Sequence, residues 1–287
     1  MKALSFGEVL WDIYPERKTI GGAPFNFAAH LAGLGDDSYL ISSVGDDELG
    51  KETLNEVASF GIKTDLISVI KKRKTGQCLV TLDDNSVPEY NLLTDVAYDY
   101  ISADFTSLSA DVLYFGTLSL RSDNNLESLC KILNNGKFND IFVDINIRSP
   151  FYSSETVSFA LENATIVKIS DEELPVVSEL IGIQFSDFKS FSAELSKRCN
   201  KIKYIIITLG SKGSYAYSAV DKAEYYSDAV KTDVLSTVGA GDSFSAAFIH
   251  KLYKGEDIQN CLDFASKIAA FVVSKYDAVP KYDLSKI

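Results

Sequence analysis

Short apolar segments rich in β-branched residues alternate along the chain with segments of helical periodicity. The clearest apolar segments span residues 141–144, 165–168 and 204–208, and each is followed by polar or glycine-rich residues. Strands that alternate with helices form a mostly parallel sheet flanked by helices, and open sheets of this kind bind ligands at the carboxyl ends of their strands. We therefore predict an α/β fold in which three strand ends converge on one cleft.

Residues 71–101 show a different pattern. Two strand-like segments, 77–82 and 89–93, flank the turn-forming residues 83–86. This pattern predicts a β-hairpin that forms a small lid over the cleft. The chain contains no internal repeat, low-complexity segment or long linker. We therefore predict a single domain over residues 1–287, with lid segments inserted at approximately 13–21 and 74–100.

Composition restricts the ligands and the compartment. The formal net charge of −12 repels phosphate backbones, so we expect neither nucleic acid nor a membrane surface as a partner. The four cysteines lie far apart in the sequence and there are only two histidines, which argues against a structural zinc site or a disulfide framework. The N-terminus lacks the basic region and apolar core of a signal peptide. We expect a soluble, cytoplasmic protein that acts on a small molecule.

The first glycine-rich segment spans residues 21–35. Its glycines and Pro24 form a loop that leads into a helix, and glycine lets the backbone approach a ligand closely. Asn26 offers both a hydrogen-bond donor and an acceptor, which suit sugar hydroxyls. A loop followed by a packed helix, without any ligand, explains the same residues.

The second glycine-rich segment spans residues 236–249, where a glycine loop becomes a helix of small and apolar residues. Unpaired backbone N–H groups at such a helix start form an anion site, which suits a transferring phosphoryl group. Asp242 at that start could be a plain N-cap or a proton-accepting carboxylate, and the two roles are compatible because the helix terminus keeps the carboxylate ionised.

These two segments, in this order and at opposite ends of the chain, resemble the paired signatures of the ribokinase/fructokinase (pfkB-type) family of carbohydrate kinases. Residues 7–12 look like the first strand of that family, and residues 144–148, 168–173 and 208–213 resemble later family motifs in the expected order. The resemblance extends over nearly the whole chain. It implies a ribokinase-like fold with a small β lid and phosphoryl transfer from ATP with Mg²⁺.

The resemblance also implies roles for individual residues. The sugar hydroxyls would be bound by Asp12, Gly22 and Asn26. Catalysis would depend on Asp242 as the base, on the backbone anion hole of Gly239, Ala240 and Gly241, and on Arg148 beside the phosphates. The nucleotide would contact Asn146, Lys168, Thr208, Gly210, Gly213 and Ser266, and Glu173 would organise Mg²⁺ through water.

Three positions depart from the family pattern. Ser236 replaces an aspartate that helps many family members to hold an activating monovalent cation, and Asp277 replaces a common glycine. We therefore expect little activation by potassium. Ser170 replaces the usual asparagine of the magnesium-associated motif but keeps a polar hydrogen-bonding group.

The substrate is the least constrained part of the hypothesis. Trp11 and Asp12 followed by Pro15, together with residues 88–99, look most like fructokinases, so we predict fructose as the acceptor. Ribose, 2-keto-3-deoxygluconate and adenosine remain open, as does a non-catalytic sugar or nucleotide sensor, because fold does not guarantee activity. A dinucleotide-dependent oxidoreductase is excluded, because no G-x-G-x-x-G follows an early strand. Whether the lids of two chains pair to form a homodimer is also left open.

Overall fold

The structure is a computed structural model that describes residues 1–82, 88–102 and 108–282. Its strands are β1 (Lys2–Phe6), β2 (Leu10–Ile13), β3 (Lys18–Gly21), β4 (Asp37–Gly45), β5 (Ile67–Ile70), β6 (Gly76–Leu82), β7 (Pro88–Leu92), β8 (Ser109–Gly116), β9 (Lys137–Asp144), β10 (Ile166–Ser170), β11 (Tyr204–Thr208), β12 (Ser214–Ser218) and β13 (Ala223–Ser227).

The helices are α1 (Ala23–Gly33), α2 (Glu48–Ser59), α3 (Asp123–Asn135), α4 (Ser154–Asn163), α5 (Leu174–Ile181), α6 (Phe188–Arg198), α7 (Ala240–Leu252) and α8 (Ile258–Val273). Three single turns of 3₁₀-helix lie at Ala97–Tyr100, Leu118–Arg121 and Gly210–Lys212. Of the helices in the described residues, none combines the length and the apolar character needed to cross a membrane.

The central sheet has nine strands in the order β13-β12-β11-β10-β9-β8-β1-β4-β5. All neighbouring pairs are parallel except β11 with β12 and β12 with β13, which are antiparallel. The three strands predicted from the sequence are β9, β10 and β11, and they are adjacent. Their carboxyl ends therefore meet at one edge of the sheet, as predicted, and the α/β fold class is confirmed.

The core lies on both faces of this sheet because successive side chains of a strand point to opposite sides. In β11, Ile205 and Ile207 pack into one apolar cluster, whereas Ile206 packs into the other. The second cluster also contains Phe27 of α1, whose ring stacks on Tyr114 of β8 with a centroid separation of 3.9 Å. This packing holds the N-terminal end of α1 beside the carboxyl ends of the strands.

A second sheet of four strands, in the order β3-β2-β6-β7, forms the lid. The predicted hairpin corresponds to β6 and β7, which pair antiparallel. Its predicted turn, residues 83–86, lies outside the described residues. The strands β3, β6 and β7 fall within the predicted lid segments 13–21 and 74–100, whereas β2 begins earlier, at Leu10.

One strand prediction is wrong. Residues 7–12, which resemble the first strand of the family, do not form a single strand. The first strand is β1, which pairs with β4 and β8 in the central sheet, whereas β2 pairs with β3 and β6 in the lid. Residues 7–9 carry the chain from one sheet to the other, so Asp12 belongs to the lid.

Candidate active site

A cleft of about 1030 Å³ lies between the carboxyl ends of the central strands and the four-stranded lid sheet. Its wall contains many of the predicted site residues, namely Asp12, Gly22, Asn26, Asn146, Arg148, Lys168, Gly239, Gly241 and Asp242. The two glycine-rich segments, which lie at opposite ends of the chain, meet in this wall. The volume is large enough for a small-molecule ligand.

Asp242 lies in the first turn of α7, at the third helical residue. The N-cap of α7 is Gly239, so the alternative in which Asp242 is a plain N-cap is wrong. Burial and the nearby charge of Asp144 raise the pKa of Asp242 to about 6. Desolvation therefore outweighs the helix terminus that we expected to favour the ionised form. At neutral pH the carboxylate is still mostly ionised and able to accept a proton.

Asn26, in the first turn of α1, contacts Asp242 directly. Its Nδ2 donates a 2.7 Å hydrogen bond to Asp242 Oδ2. Asn26 is 4% exposed, and its Oδ1 has no hydrogen-bond partner within the described residues. A buried amide oxygen without a partner costs free energy, and a hydroxyl of a bound ligand would satisfy it.

The backbone at Gly22 and Gly239 requires glycine. Both residues have positive φ, 112° and 80°. A Cβ atom at Gly22 would lie 2.5 Å from the carbonyl oxygen of Glu8, and a Cβ atom at Gly239 would lie 2.5 Å from the carbonyl oxygen of Ala278. Any side chain would therefore displace the loops that precede α1 and α7.

The start of α7 presents backbone amides to the cleft. The N–H of Ala240 donates to the carbonyl oxygen of Thr237 at 3.3 Å, and that of Ser243 donates to Gly239. Within the described residues, no backbone carbonyl accepts from the N–H groups of Gly241 and Asp242. These two amides are the ones left to bind an anion.

Lys168 and Asp144 form a buried ion pair at the base of the cleft. Lys168 Nζ lies 2.8 Å from Asp144 Oδ1, and the two side chains are 6% and 1% exposed. Burial alone would lower the pKa of Lys168, but the carboxylates of Asp144 and Glu173 hold it above its ordinary value. A Cβ atom at Gly241 would lie 3.3 Å from Lys168 Nζ, so this ammonium group lies close to the start of α7.

Glu173 lies outside the cleft wall and links two segments next to it. Its Oε1 accepts the N–H of Ile147 at 2.6 Å, and its Oε2 accepts the N–H of Ser170 at 2.9 Å. The carboxylate therefore ties the residues that follow β9 to the end of β10. It also fixes the loop between Asn146 and Arg148, in which Asn146 has a φ of 42°.

The other residues predicted for a nucleotide site form a connected group outside the cleft wall. Thr208 pairs with Ser214 across β11 and β12, and Ser214 pairs with Ser227 across β12 and β13. The hydroxyls of Ser227 and Ser266 are 3.2 Å apart. Gly210 and Gly213 lie in the connection between β11 and β12. This group therefore extends from the end of β11 to α8.

Asp12 faces the cleft from the lid. In β2 it lies opposite Thr19 of β3 and Cys78 of β6. Burial raises the pKa of Asp12 to about 6, against the opposing effects of the Cys78 thiol and of Arg17. Asp12 is therefore a strong hydrogen-bond acceptor at neutral pH, at the lid end of the cleft.

Sequence reasoning missed several wall residues. Glu8 is buried in the wall, and Arg17 and Tyr90 enter it from the lid. The signal for Glu8 was present, because it is the one acid in the otherwise apolar stretch 6–11. Nothing in the local sequence distinguishes Arg17 or Tyr90 from ordinary lid residues.

Known sequences resemble this chain over most of its length. The model of the pfkB family of carbohydrate kinases matches residues 12–283. A 5-dehydro-2-deoxygluconokinase of Listeria monocytogenes is 27% identical, over 99% of this chain and 90% of the relative. A probable fructokinase-5 of Arabidopsis thaliana is also 27% identical, over 96% of this chain and 93% of the relative.

Solved structures agree in fold. A sugar kinase of Pyrococcus horikoshii, solved in complex with ATP, matches with a TM-score of 0.81 and 26% identity, over 99% of this chain and 97% of the other. A fructokinase of Vibrio cholerae, solved with fructose, ADP and calcium, matches with a TM-score of 0.81 and 20% identity, over 98% and 95%. Since the family model matches almost all of its residues, this chain belongs to the pfkB family of carbohydrate kinases.

Proposed function

We propose that this carbohydrate kinase transfers the γ-phosphoryl group of ATP to a primary hydroxyl of a small sugar, with fructose as the acceptor and Asp242 as the general base. The observation that carries the proposal is the position of Asp242. It is a buried carboxylate at the start of α7, hydrogen-bonded to Asn26 and adjacent to unpaired backbone amides. A proton acceptor and an anion site thus adjoin within one cleft.

Each group of cleft residues has a role in the proposed phosphoryl transfer. The sugar hydroxyl attacks the γ-phosphorus, its proton passes to Asp242, and the bond to the β-phosphate oxygen breaks. Asp12, Gly22 and Asn26 would hold the sugar. The start of α7, comprising Gly239, Ala240 and Gly241, and the cations of Lys168 and Arg148 would stabilise the charge on the phosphoryl oxygens.

The nucleotide would lie along the group that extends from β11 to α8. Thr208, Gly210 and Gly213 would contact its phosphates and sugar, Ser266 would lie near the base, and Asn146 would lie beside the phosphates. The positive charge of Lys168 supports this orientation. The ammonium group lies close to the start of α7 and would attract the phosphates towards Asp242.

The residues present fit a magnesium ion that arrives with the nucleotide. Across residues 1–82, 88–102 and 108–282, no group of three or more His, Cys, Asp and Glu side chains is arranged to hold a metal. Mg²⁺ usually keeps several waters and binds one or two carboxylates together with phosphates. Each carboxylate oxygen of Glu173 accepts one backbone N–H, which leaves lone pairs for such a water. The ion would neutralise charge on the phosphates.

A six-carbon sugar acid is a second candidate substrate. Arg17 lies in the lid wall of the cleft, stacks on the ring of Tyr14 and forms no ion pair within the described residues. A sugar acid carries its carboxylate at the end opposite its primary hydroxyl, so a hydroxyl at Asp242 would direct the carboxylate towards the lid. The similarity to the 5-dehydro-2-deoxygluconokinase favours the same class.

A substrate panel separates the two candidates. We expect kcat/KM with ATP and magnesium to be highest for fructose, compared with ribose, 5-dehydro-2-deoxygluconate, 2-keto-3-deoxygluconate and adenosine. Arg17→Gln should lower the fructose value only modestly, through the nearby carboxyl group of Asp12, because fructose has no charge for Arg17 to bind. The matched control is Lys18→Gln, which removes a lid cation that is already paired with Glu52.

A different outcome of the same panel would identify the sugar acid as the substrate. A preference for a sugar acid, reduced roughly 10-fold or more by Arg17→Gln but not by Lys18→Gln, would replace fructose with the second candidate. The kinase proposal would stand in that case.

Potassium is expected to activate the enzyme little. Position 236 carries a serine, whose hydroxyl accepts the N–H of Val238 at 3.3 Å, and not a carboxylate that would offset the charge of a bound cation. The rate should be measured in potassium and in a bulky organic cation at equal ionic strength. A large potassium-specific increase would contradict this expectation and would show that other oxygen ligands suffice.

A further inference from the structure

Glu8 is a buried carboxyl group to which the proposed reaction assigns no role. It lies in the connection between β1 and β2, is 3% exposed and contributes to the wall of the cleft. Its Oε1 accepts the N–H of Ala23 at 3.2 Å, and its Oε2 accepts the hydroxyl of Ser119 at 2.9 Å. A buried carboxylate is costly, so its retention at this position calls for an explanation.

The bond to Ala23 anchors the start of α1. The N-cap of this helix, Gly22, has no side chain, and its first turn contains no acidic residue. Glu8 therefore supplies, from a distant part of the chain, the carboxylate that usually comes from a local cap. The carbonyl oxygen of Glu8 lies so close to Gly22 that a Cβ atom at Gly22 would be 2.5 Å from it, so the residue before the helix has no room for a side chain.

The anchored turn is the one that carries Asn26. Asn26 lies three residues after Ala23, and its Nδ2 donates to Asp242 while its Oδ1 has no partner within the described residues. A shift or rotation at the start of α1 would therefore move Asn26, which, of the described residues, is the only one whose side chain is hydrogen-bonded to the carboxylate of Asp242.

We propose that Glu8 is a positioning residue for phosphoryl transfer, because its carboxylate anchors the start of α1 and thereby fixes Asn26 against Asp242. This inference rests on the proposed role of Asp242 as the base. Glu8 acts through Asn26, without touching the transferred group.

Glu8 and Asp242 ionise in different pH ranges. Burial, with a contribution from the negative charge of Asp242, raises the pKa of Glu8 to about 7. The other ionisable groups that face Glu8 are Tyr98, Tyr114 and Arg121, and Arg121 is engaged with Asp99 at 2.8 Å. Asp242, with a pKa of about 6, ionises first as the pH rises, so Glu8 is still mostly protonated while Asp242 titrates. The anchor at the start of α1, and not the charge of Glu8, therefore links Glu8 to Asp242.

Glu8→Gln and Glu8→Ala form the informative pair. In Glu8→Gln the amide oxygen can accept the N–H of Ala23 and the amide nitrogen can donate to Ser119, so the anchor is kept. Because Glu8 is mostly protonated at the pH at which Asp242 titrates, kcat and the pKa of Asp242 should stay near the parent values in Glu8→Gln. Glu8→Ala removes the anchor and should lower kcat by roughly 10²-fold.

The matched control for Glu8→Ala is Asp187→Ala. Asp187 caps α6 by accepting the N–H of Ser190 at 2.7 Å and lies outside the cleft wall. Asp187→Ala removes one side-chain anchor from a helix start, as Glu8→Ala does, and should leave kcat unchanged.

A second measurement does not depend on activity. The side-chain amide of Asn26, assigned by its absence in Asn26→Ala, reports the titration of Asp242 in ¹H–¹⁵N NMR spectra. We expect the same Asn26 amide resonances and the same midpoint in the parent protein, in Glu8→Gln and in Asp187→Ala, and displaced Asn26 amide resonances in Glu8→Ala. Unchanged Asn26 amide resonances and an unchanged midpoint in Glu8→Ala would overturn the inference, even if the parent protein phosphorylates no sugar and the proposed function itself fails.

Discussion

Replacing Asp242 with asparagine is expected to lower kcat for sugar phosphorylation by roughly 10²–10⁴-fold, with a much smaller change in sugar affinity. Asparagine keeps the shape of the side chain, and its amide oxygen can accept the hydrogen bond from Asn26 Nδ2. It cannot accept the proton of the attacking hydroxyl. The comparison requires the sugar-dependent rate of ADP formation and a sugar-binding titration for both proteins.

The stability of this variant supplies the control. The pKa of Asp242 in the folded protein, about 6, lies above its ordinary value of 3.8. Ionisation of Asp242 therefore costs folding free energy, and the cost develops as the pH rises from about 4 to about 6. Asp242→Asn removes this cost, so its Tm at neutral pH should equal or exceed that of the parent.

Two outcomes would contradict the role of Asp242. If Asp242→Asn phosphorylates sugar at the parent rate, the carboxylate is structural and the base lies elsewhere. If the parent binds sugar but never forms the phosphorylated product, the protein is a sugar or nucleotide sensor and not a kinase.

Lys168→Met should lower the free energy of unfolding by about 3–5 kcal/mol. The substitution leaves Asp144, whose side chain is 1% exposed, without its only cationic hydrogen-bond partner in the described residues. The hydroxyls of Tyr114 and Ser245 lie 3.4 Å from Asp144 Oδ2, too far to compensate for the lost ammonium group. Denaturant unfolding of the variant and the parent measures the difference.

The double variant Lys168→Met/Asp144→Asn separates stability from catalysis. With both charges removed, most of the lost stability should return, because no uncompensated charge remains buried. The rate of phosphoryl transfer should remain low, since the ammonium group beside Gly241 is still missing. A double variant with parental kcat would contradict the proposed contact between Lys168 and the phosphates. An unchanged unfolding free energy in Lys168→Met would contradict the ion-pair argument.

Much of the architecture could be predicted from the sequence. The strands β9, β10 and β11 were recognisable from short β-branched segments, and the starts of α1 and α7 were recognisable from glycines and Pro24. These signals are local, since strand propensity, glycine conformation and helix starts depend on neighbouring residues. The sequence failed at residues 7–12, because which sheet a strand joins depends on its distant partners.

The sequence by itself determined the fold class, the two glycine-rich segments and the chemical types of residue available for catalysis. Only the tertiary structure decided how these residues act on one another. It brought Asn26 to Asp242, separated by 216 positions in the chain, and it placed Glu8 at the start of α1. It also raised the pKa of Asp242 through burial and Asp144. Burial and electrostatic coupling depend on which surfaces pack together, and the packing of α1 and α7 against the central sheet sets both for this site.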